Sequence, residues 1–344
     1  MEKLIDFTDC PDGLRDYSGS DHKKSILYNG EHYMLKFPEY RVKENDLQSS
    51  HANNVFSEYI GSHVMQSLGI STHETMIGTY DGEPVVACRD FTTKEERLHE
   101  FRWFMLNRYR SNEIGRIPTY RQIYDVMLND PLLQRISLDA IDRYWQTFAG
   151  DALTGNFDRH KGNWGYLVNE DARTIRLAPV YDCGSCLYPN LGEDGMKQVM
   201  QSKDEIEKRL FVFSKAALNL SDNIHKEQKA GYYEYLASGL DENCTKALME
   251  ISRKIDLNAI NRIIEATPFL SDTRIEFYEL MVRQRYERII IPAKEHLLQK
   301  EQSRCIITDR NGQEKISLEQ FAKAVAMTTP QNENQYPAQD HGSR

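Results

Sequence analysis

Two turn dipeptides, Asn29-Gly30 and Asp81-Gly82, restrict the fold of this chain more than any other feature of its sequence. Each dipeptide accepts the positive φ angles of a two-residue turn and lies between two runs of β-like composition. The flanking runs are residues 25–28 and 31–37 for the first turn, and residues 74–79 and 84–89 for the second. The sequence therefore predicts two β-hairpins within the first ninety residues.

A helix is predicted between the two hairpins, over residues 54–68. Ile60, Val64 and Leu68 recur at every fourth position, which is the spacing of one helical face. Gly69 is placed to end the helix, because glycine adopts the left-handed conformation of a helix C-terminus without strain. The chain therefore begins with the order strand, strand, helix, strand, strand.

Beyond residue 92 the pattern becomes mainly helical. Leu138, Ile141, Trp145 and Phe148 recur at steps of three or four residues, so they are predicted to share one buried helical face. Ser137 is predicted to cap the start of this helix. The change of pattern near residue 92 indicates an α+β architecture, in which a small β-rich part precedes a larger helical part.

The divisions of the chain follow from the same patterns. One short hairpin, over residues 164–168 and 174–177, is predicted to interrupt the helical part, and residues 203–300 are predicted to be helical throughout. Residues 303–325 are predicted to form a hairpin around Asn311-Gly312 and a small helix. The predicted segments are residues 1–91, 92–300 and 301–327, with a polar and disordered tail over residues 328–344.

Composition limits the classes of function. The 344 residues carry 43 Lys and Arg against 52 Asp and Glu, a net charge of −9, so direct nucleic-acid binding through a broad basic field is not expected. The longest aliphatic run, residues 289–291, is too short to span a bilayer, and the N-terminus shows no signal-peptide pattern. We therefore expect a cytoplasmic protein that does not associate with membranes.

Six cysteines are scattered along the chain, which does not resemble a disulfide framework. Cys183 and Cys186 form one CxxC pair without a second pair nearby. Ordinary thiols are the favoured interpretation of this pair, and a structural zinc site is the alternative.

The segment over residues 154–163 carries the most informative chemistry. Asp158 and Asn163 lie five residues apart between the predicted helix and hairpin, and Asp182 follows the hairpin. Phosphoryl transfer needs a carboxylate at the attacking hydroxyl and hard oxygen ligands for Mg²⁺ on the nucleotide phosphates, and these side chains supply both. The alternative is a solvated turn in which Asp158 and Asn163 bind only backbone groups.

Elements upstream support phosphoryl transfer. Lys36 is predicted late in a strand and Glu58 in the following helix, the order in which a kinase supplies a phosphate-binding lysine and the glutamate that holds it. The polar loop over residues 17–25 can offer backbone N–H groups to phosphates, and residues 88–91 can present backbone groups to adenine. The alternatives are an edge-strand charge for Lys36 and an exposed surface position for Glu58.

Five motifs together resemble those of the HipA-type serine/threonine kinases, over about residues 15–300. They are S-G-S-D-H-K-K-S at 18–25, the strand that ends in Lys36, the Glu58 helix that closes with S-L-G-I at 67–70, N-F-D-R-H-K-G-N at 156–163, and A-P-V-Y-D at 178–182. The resemblance implies a two-lobed, protein-kinase-like fold with a β-rich N-lobe and a mainly helical C-lobe. About fifteen residues precede the phosphate loop, as expected for the short HipT-like and CtkA-like members.

Position by position, the resemblance implies Asp158 as catalytic base, Asn163 and Asp182 as Mg²⁺ ligands, and Lys36 with Glu58 at the ATP phosphates. The other ATP-binding residues that it implies are the phosphate loop, Ser20, Asp21, His22, Lys23, Lys24 and Ser25; the adenine segment, Cys88, Arg89, Asp90 and Phe91; and two residues lining the nucleotide site, His160 and Tyr181.

The implied activity is transfer of the ATP γ-phosphoryl group to a Ser or Thr of a protein substrate. The resemblance also implies autophosphorylation of a serine beside the nucleotide, for which Ser18, Ser20 and Ser25 are the candidates, since phosphate there would repel the phosphates of ATP. In a bacterium it further implies a toxin restrained by a HipB-like antitoxin. A secreted effector kinase would carry the same motifs.

Two other functions stay open at this point. A small-molecule kinase of the aminoglycoside or choline type would share the D-x4-N loop and the later Asp, but would phosphorylate small alcohols. A pseudokinase would act as an interaction scaffold, although the joint presence of Lys36, Asp158, Asn163 and Asp182 argues against it.

Overall fold

The computed structural model describes residues 4–15, 22–40, 51–52, 54–115, 117–221 and 226–308. Its strands are β1 (Ile5–Asp6), β2 (Lys23–Tyr28), β3 (Glu31–Lys36), β4 (Glu39–Tyr40), β5 (His51–Ala52), β6 (Thr75–Tyr80), β7 (Glu83–Arg89), β8 (Arg97–Glu100), β9 (Gly165–Asn169), β10 (Thr174–Leu177), β11 (Lys215–Asn219) and β12 (Lys229–Gly231).

The helices follow mainly after residue 100. They are α1 (Asn54–Ser67), α2 (Phe101–Arg108), α3 (Tyr120–Asn129), α4 (Ser137–Thr154), α5 (Glu193–Gln201), α6 (Lys203–Lys208), α7 (Tyr232–Ser238), α8 (Glu242–Lys254), α9 (Leu257–Glu265), α10 (Asp272–Arg285) and α11 (Ile291–Thr308). Two 3-10 turns, Ser111–Glu113 and Leu133–Ile136, and two π-helical turns, Arg209–Phe213 and Tyr286–Ile290, connect some of them. No helix among the described residues is long and apolar enough to cross a bilayer.

The main sheet has the strand order β1-β6-β7-β3-β2 and is antiparallel except for the parallel pair β1–β6. Both predicted hairpins are present. Asn29 and Gly30 have φ values of 52° and 83°, and Asp81 and Gly82 have φ values of 50° and 82°, as the tight turns require. The α+β prediction is confirmed, with this sheet in the first part of the chain and helices dominating the rest.

The two faces of the sheet have different neighbours, because successive side chains of a strand point to opposite sides. Lys36 is opposite Val86 in the β3–β7 pair, and this face packs toward α1 and the main core. Leu35 and Ala87 point to the other face, where they join a smaller apolar cluster with Phe7. The β3 residues at even positions, including Lys36, are therefore directed toward the helical part.

The helix α4 differs in detail from its prediction. Ile141, Trp145 and Phe148 are buried as expected, but Leu138 in the first turn is 77% exposed. Helical spacing gives the direction of a side chain, but not whether a neighbouring element covers it. Ser137 is not the N-cap, since a 3-10 turn leads directly into the helix and the Ser137 hydroxyl donates back to the carbonyl of Gln134.

The prediction of continuous helix over residues 203–300 was wrong at β11 and β12, which form a two-stranded antiparallel sheet. Alanine and leucine in β11 favour helix by propensity, but their backbone pairs with another segment: the N–H of Asn219 donates to the carbonyl of Pro118 at 2.8 Å. The helix α11 continues to Thr308, whereas a hairpin was predicted to begin at residue 303. The rest of that predicted hairpin, the small helix and the predicted disordered tail lie outside the described residues.

The chain divides into two units, residues 1–297 and residues 298–344. The first contains the main sheet, the three-stranded sheet β10-β9-β8, the helices α1–α10 and the start of α11. Of the second, the structure describes residues 298–308, which end α11. The finer predicted boundaries, at residues 91, 300 and 327, stay predictions.

Candidate active site

The loop that follows α4 is fixed by its own side chains. Gly155 ends α4 with a φ of 69°, and the side-chain oxygen of Asn156 accepts a hydrogen bond from the Asp158 N–H at 3.0 Å. The amide nitrogen of Asn163 donates to the Asp158 carbonyl at 2.8 Å. The carboxylate of Asp158 is partly exposed on a backbone held at both ends, as a group that meets a substrate must be.

Arg159 joins this loop to the segment that carries Asp182. Its Nε and Nη2 donate to the two carboxylate oxygens of Asp151, both at 3.0 Å, and its Nη1 donates to the carbonyls of Asn163, Tyr181 and Asp182. Burial opposes the charge, but the Asp151 carboxylate outweighs it and holds the pKa of Arg159 well above its usual range. No role was predicted for Arg159, because its partners, the Asp151 carboxylate and three backbone carbonyls, form no recognisable sequence motif.

The same guanidinium nitrogen brings Asn163 and Asp182 together. The two backbone carbonyls lie at 3.2 Å each from Arg159 Nη1. Asp182 has a φ of 57°, a left-handed conformation that few residues other than glycine adopt. The amide and carboxylate oxygens of these two side chains are the hard donors that Mg²⁺ prefers, so the residues present fit that ion.

Lys36 lies beside Asp182 although the two are 146 residues apart in the chain. Its Nζ is 2.7 Å from Glu58 Oε2 and 3.1 Å from Asp182 Oδ1. Burial alone would lower the pKa of Lys36, but the carboxylates of Asp182 and Glu58 outweigh it and raise that pKa well above its usual value. The lysine is therefore held as a cation beside Asp182, one of the two predicted Mg²⁺ ligands.

Glu58 is almost fully buried and holds Lys36 through α1. Its Oε1 accepts from the Cys183 N–H at 3.0 Å and lies 3.1 Å from His73 Nε2. Burial raises the pKa of this carboxyl, but Lys36 and His73 outweigh it, so the pKa lies well below its usual range. The alternative of an exposed Glu58 is excluded. The sequence analysis did not single out His73, which lies in a short connection between α1 and β6.

The phosphate-loop residues are placed unevenly. Ser18, Ser20 and Asp21 lie outside the described residues, and exposed His22 packs its ring against Phe37 at 4.4 Å. Lys23 is opposite Lys36 in the β2–β3 pair, so it points to the same face of the sheet.

Lys24 and Ser25 are not brought to Asp182. Lys24 points to the other face of the sheet and forms an ion pair with Asp12 at 2.5 Å. The hydroxyl of Ser25 is buried beside Gly13 and has no hydrogen-bond partner among the described residues. In this conformation neither its position nor its burial favours phosphorylation of Ser25.

Two of the four predicted adenine-segment side chains lie near the site. Buried Cys88 lies on the face of Lys36, and the carboxylate of Glu58 adds to burial in raising the pKa of its thiol. The ring of Phe91 lies 5.7 Å from that of Tyr181 and 6.4 Å from that of His73.

The other two adenine-segment side chains turn away. Arg89 forms ion pairs with Glu31 and Glu74 on the opposite face of the sheet, and Asp90 pairs with Arg15. Their backbone N–H groups are also engaged, since they donate to carbonyls of neighbouring segments. We therefore assign no nucleotide contact to the side chains of Arg89 and Asp90.

His160 and Tyr181 meet at the turn over Gly162. His160 Nδ1 accepts from the Gly162 N–H at 3.0 Å, and the Tyr181 hydroxyl donates to the Gly162 carbonyl at 3.2 Å. Burial raises the pKa of Tyr181, which stays protonated. Both rings therefore border the loop between Asp158 and Asn163.

One cluster of metal-ligating side chains lies nearby. Glu58, His73 and Cys88 place their ligand atoms within 4.8 Å of one another, all buried. The Lys36 ammonium already bonds to Glu58, so this carboxylate is neutralised by a cation of the chain itself. No such cluster in the described part of the chain includes Cys183 or Cys186, which favours ordinary thiols there.

Comparison with known proteins gives consistent matches. Residues 16–256 match the family model of the HipA-like C-terminal domain. The Helicobacter pylori serine/threonine-protein kinase CtkA is 35% identical over 288 residues, which are 83% of this chain and 86% of the relative. The predicted family is thereby confirmed.

The solved structures agree. The crystal structure of a Helicobacter pylori proinflammatory kinase CtkA has a TM-score of 0.76 and 33% identity, and the match covers 87% of this chain and all of that one. It confirms the predicted kinase-like fold. HipA from a Shewanella oneidensis toxin–antitoxin complex with HipB and operator DNA reaches a TM-score of 0.49 at 16% identity, over 83% of this chain and 68% of that one.

Proposed function

We propose, on the premise that the chain belongs to the family of the HipA-like C-terminal domain, that it is an ATP-dependent protein serine/threonine kinase. The observation that carries the proposal is the Lys36 ammonium, held by Glu58 at 2.7 Å and 3.1 Å from Asp182. A lysine fixed by a helix glutamate beside a metal-ligating aspartate is the arrangement that phosphoryl transfer by kinases requires. The name of the 35% identical relative, a serine/threonine-protein kinase, supports the same class of acceptor.

In the proposed reaction Asp158 accepts a hydrogen bond from the acceptor hydroxyl, orients its oxygen toward the γ-phosphorus and takes its proton, while the bond from the γ-phosphorus to the β–γ bridging oxygen breaks and ADP leaves. Lys36 binds phosphate oxygens and offsets the negative charge that develops during transfer. Asn163 and Asp182 would hold Mg²⁺, which when bound neutralises charge on the phosphates. Arg159 holds Asn163 and Asp182 at a fixed separation, because it donates hydrogen bonds to the backbone carbonyls of both residues.

The test is incubation of the purified chain with Mg²⁺, γ-labelled ATP and a generic protein acceptor. Asp158→Ala is expected to lose label transfer by at least about a hundredfold, as expected when a positioned base is removed. Asp171→Ala, at an exposed turn between β9 and β10, is the matched control and should retain the wild-type rate. Transfer to small alcohols but not to protein would contradict the protein-kinase assignment, and equal rates for both variants would contradict the role of Asp158.

We further propose that the chain autophosphorylates on Ser18 or Ser20. The support is the family resemblance of the loop over residues 18–25 together with the burial of the Ser25 hydroxyl. Phosphopeptide mapping after incubation with ATP should find phosphate on one of the two serines in the wild type and none in Asp158→Ala. Phosphate only at other positions would contradict this proposal.

Two expectations stay predictions. A HipB-like antitoxin is implied only by the family resemblance. The test is whether a small protein copurifies with the tagged chain from the organism that encodes it. A cytoplasmic location likewise rests on the sequence alone, and fractionation of that host tests it.

A further inference from the structure

The carboxylate of Glu58 depends on more than Lys36. It is about 1% exposed, so water cannot stabilise its charge, and protein groups must supply its hydrogen bonds. Lys36 occupies Oε2, while Oε1 is shared by the Cys183 N–H and by His73 Nε2. Since an ionised carboxylate only accepts hydrogen bonds, the Nε2 atom of His73 carries the proton in this contact.

We propose that His73 is a positioning residue of the kinase reaction, which orients Glu58 and through it Lys36 by a hydrogen bond from Nε2 to Glu58 Oε1. This inference rests on the proposed function. The distance is 3.1 Å and the imidazole is 3% exposed, so no solvent competes for the bond. The side chain of His73 acts on Lys36 through Glu58.

The backbone of His73 makes a second connection that fits this role. Its N–H donates to the Val180 carbonyl at 3.0 Å, and the Val180 N–H donates to the Ser71 carbonyl at 2.8 Å. The segment over residues 71–73 thus runs beside the segment that reaches Asp182 two residues later, with Thr72 and Val180 paired in parallel. The His73 backbone therefore bonds to the segment that leads to Asp182, and its side chain bonds to Glu58. His73 thereby fixes the position of Glu58 relative to that segment.

The surroundings of the ring favour a fixed orientation. Ser62 Oγ lies 3.3 Å from the same Nε2 atom, and the ring of Phe91 lies edge-on at 6.4 Å. Phe91 in turn contacts Tyr181, which precedes Asp182. A side chain at position 73 that fills this space without a polar atom would keep the packing and lose the contacts of Nε2 with Glu58 and Ser62.

The experiment compares His73→Leu with His73→Gln. Leucine fills the space without a donor, whereas the glutamine amide can again donate to Glu58. We expect kcat/KM for ATP to fall at least tenfold in His73→Leu and to recover to within about threefold of wild type in His73→Gln. His99→Leu, which removes a histidine paired with Glu170 away from this site, is the matched control and should retain the wild-type value.

A double variant separates positioning from packing. If His73 acts through Glu58, His73→Leu should lower kcat/KM no further in a Glu58→Gln background, whereas independent effects would multiply. Multiplying effects, or a wild-type rate in His73→Leu, would overturn the inference.

A second readout does not need kinase activity. In His73→Leu the acid-unfolding midpoint should shift to higher pH, because Glu58 loses a donor to its charged form. An inactive wild type with this shift would remove the proposed function and leave the contact standing, and no shift would remove the contact itself.

Discussion

Two buried ion pairs hold the two halves of this site, and they differ in what they leave available. Arg159 and Asp151 are paired through two hydrogen bonds, and the remaining guanidinium nitrogen is satisfied by backbone carbonyls. Lys36 is paired with Glu58 through one hydrogen bond, and its other carboxylate neighbour, Asp182, is 36% exposed. The first pair is surrounded by groups of the protein, whereas the second borders Asp182, a carboxylate that is partly open to solvent.

The difference shows that burial of an ion pair does not itself indicate function. A planar guanidinium with fixed donors suits a site where several carbonyls must be held in place. An ammonium has three rotatable donors and can exchange one partner for another. In this chain the Arg159–Asp151 pair maintains the geometry, and the Lys36–Glu58 pair is the one we propose to meet the nucleotide.

The largest expected effect is on the Arg159–Asp151 pair. Arg159→Met should lower the free energy of unfolding by about 3–5 kcal/mol, because it leaves the Asp151 carboxylate buried without its cation. Urea unfolding followed by far-UV circular dichroism measures the change. The double variant Arg159→Met with Asp151→Leu should be more stable than the single variant, since it removes the stranded charge as well. A double variant that is less stable than the single one would contradict this account.

An intermediate effect is expected for the Lys36–Glu58 pair, on the way the free energy of unfolding falls at acidic pH. The folded-state pKa of Glu58 lies below its usual value of 4.5, so its stabilising contribution is full above that pH and is lost as the pH falls toward the folded-state pKa. Glu58→Gln cannot titrate and should show a shallower loss of unfolding free energy between pH 5 and pH 3. Denaturant titrations at several pH values decide, and parallel profiles would mean that the pKa of Glu58 is the same in the folded and the unfolded chain.

The smallest effect is expected at an exposed pair of similar geometry. Arg108 donates two hydrogen bonds to Asp125, and the Arg108 side chain is 42% exposed. These bonds lower the pKa of Asp125 to about 2, yet solvent screens the pair. Arg108→Gln should therefore cost less than about 1 kcal/mol in urea unfolding. A loss of unfolding free energy as large as that in Arg159→Met would show that burial does not explain the difference between the Arg108–Asp125 and Arg159–Asp151 pairs.

The parts of the fold that could be predicted are those decided by local chemistry. The two hairpins were predicted from Asn29-Gly30 and Asp81-Gly82, whose backbone conformations are set within the dipeptide. The helix α1 was predicted because apolar residues recur at every fourth position, which is the spacing of one helical face. Lys36 and Glu58 were placed together because the order of elements is a property of the sequence.

The parts that could not be predicted depend on partners distant in the chain. Leu138 has the right spacing for the core but is left exposed. β11 pairs with β12, and its Asn219 N–H also bonds to the carbonyl of Pro118, about a hundred residues earlier, instead of following the helical propensity of its sequence. Arg159 and His73 were missed for the same reason. Their roles rest on Asp151, on Glu58 and on backbone carbonyls that become neighbours only after folding.

The sequence by itself determined the two hairpins with the helix between them, and the set of side chains able to carry phosphoryl transfer, because each is fixed by conformational preferences and chemistry within a few residues. Only the tertiary structure decided which of those side chains meet. It placed Lys36 beside Asp182, turned Lys24, Arg89 and Asp90 away, and added Arg159 and His73. The physical reason is that the burial of a charge requires partners, and the partners are supplied by whichever segments the core brings alongside.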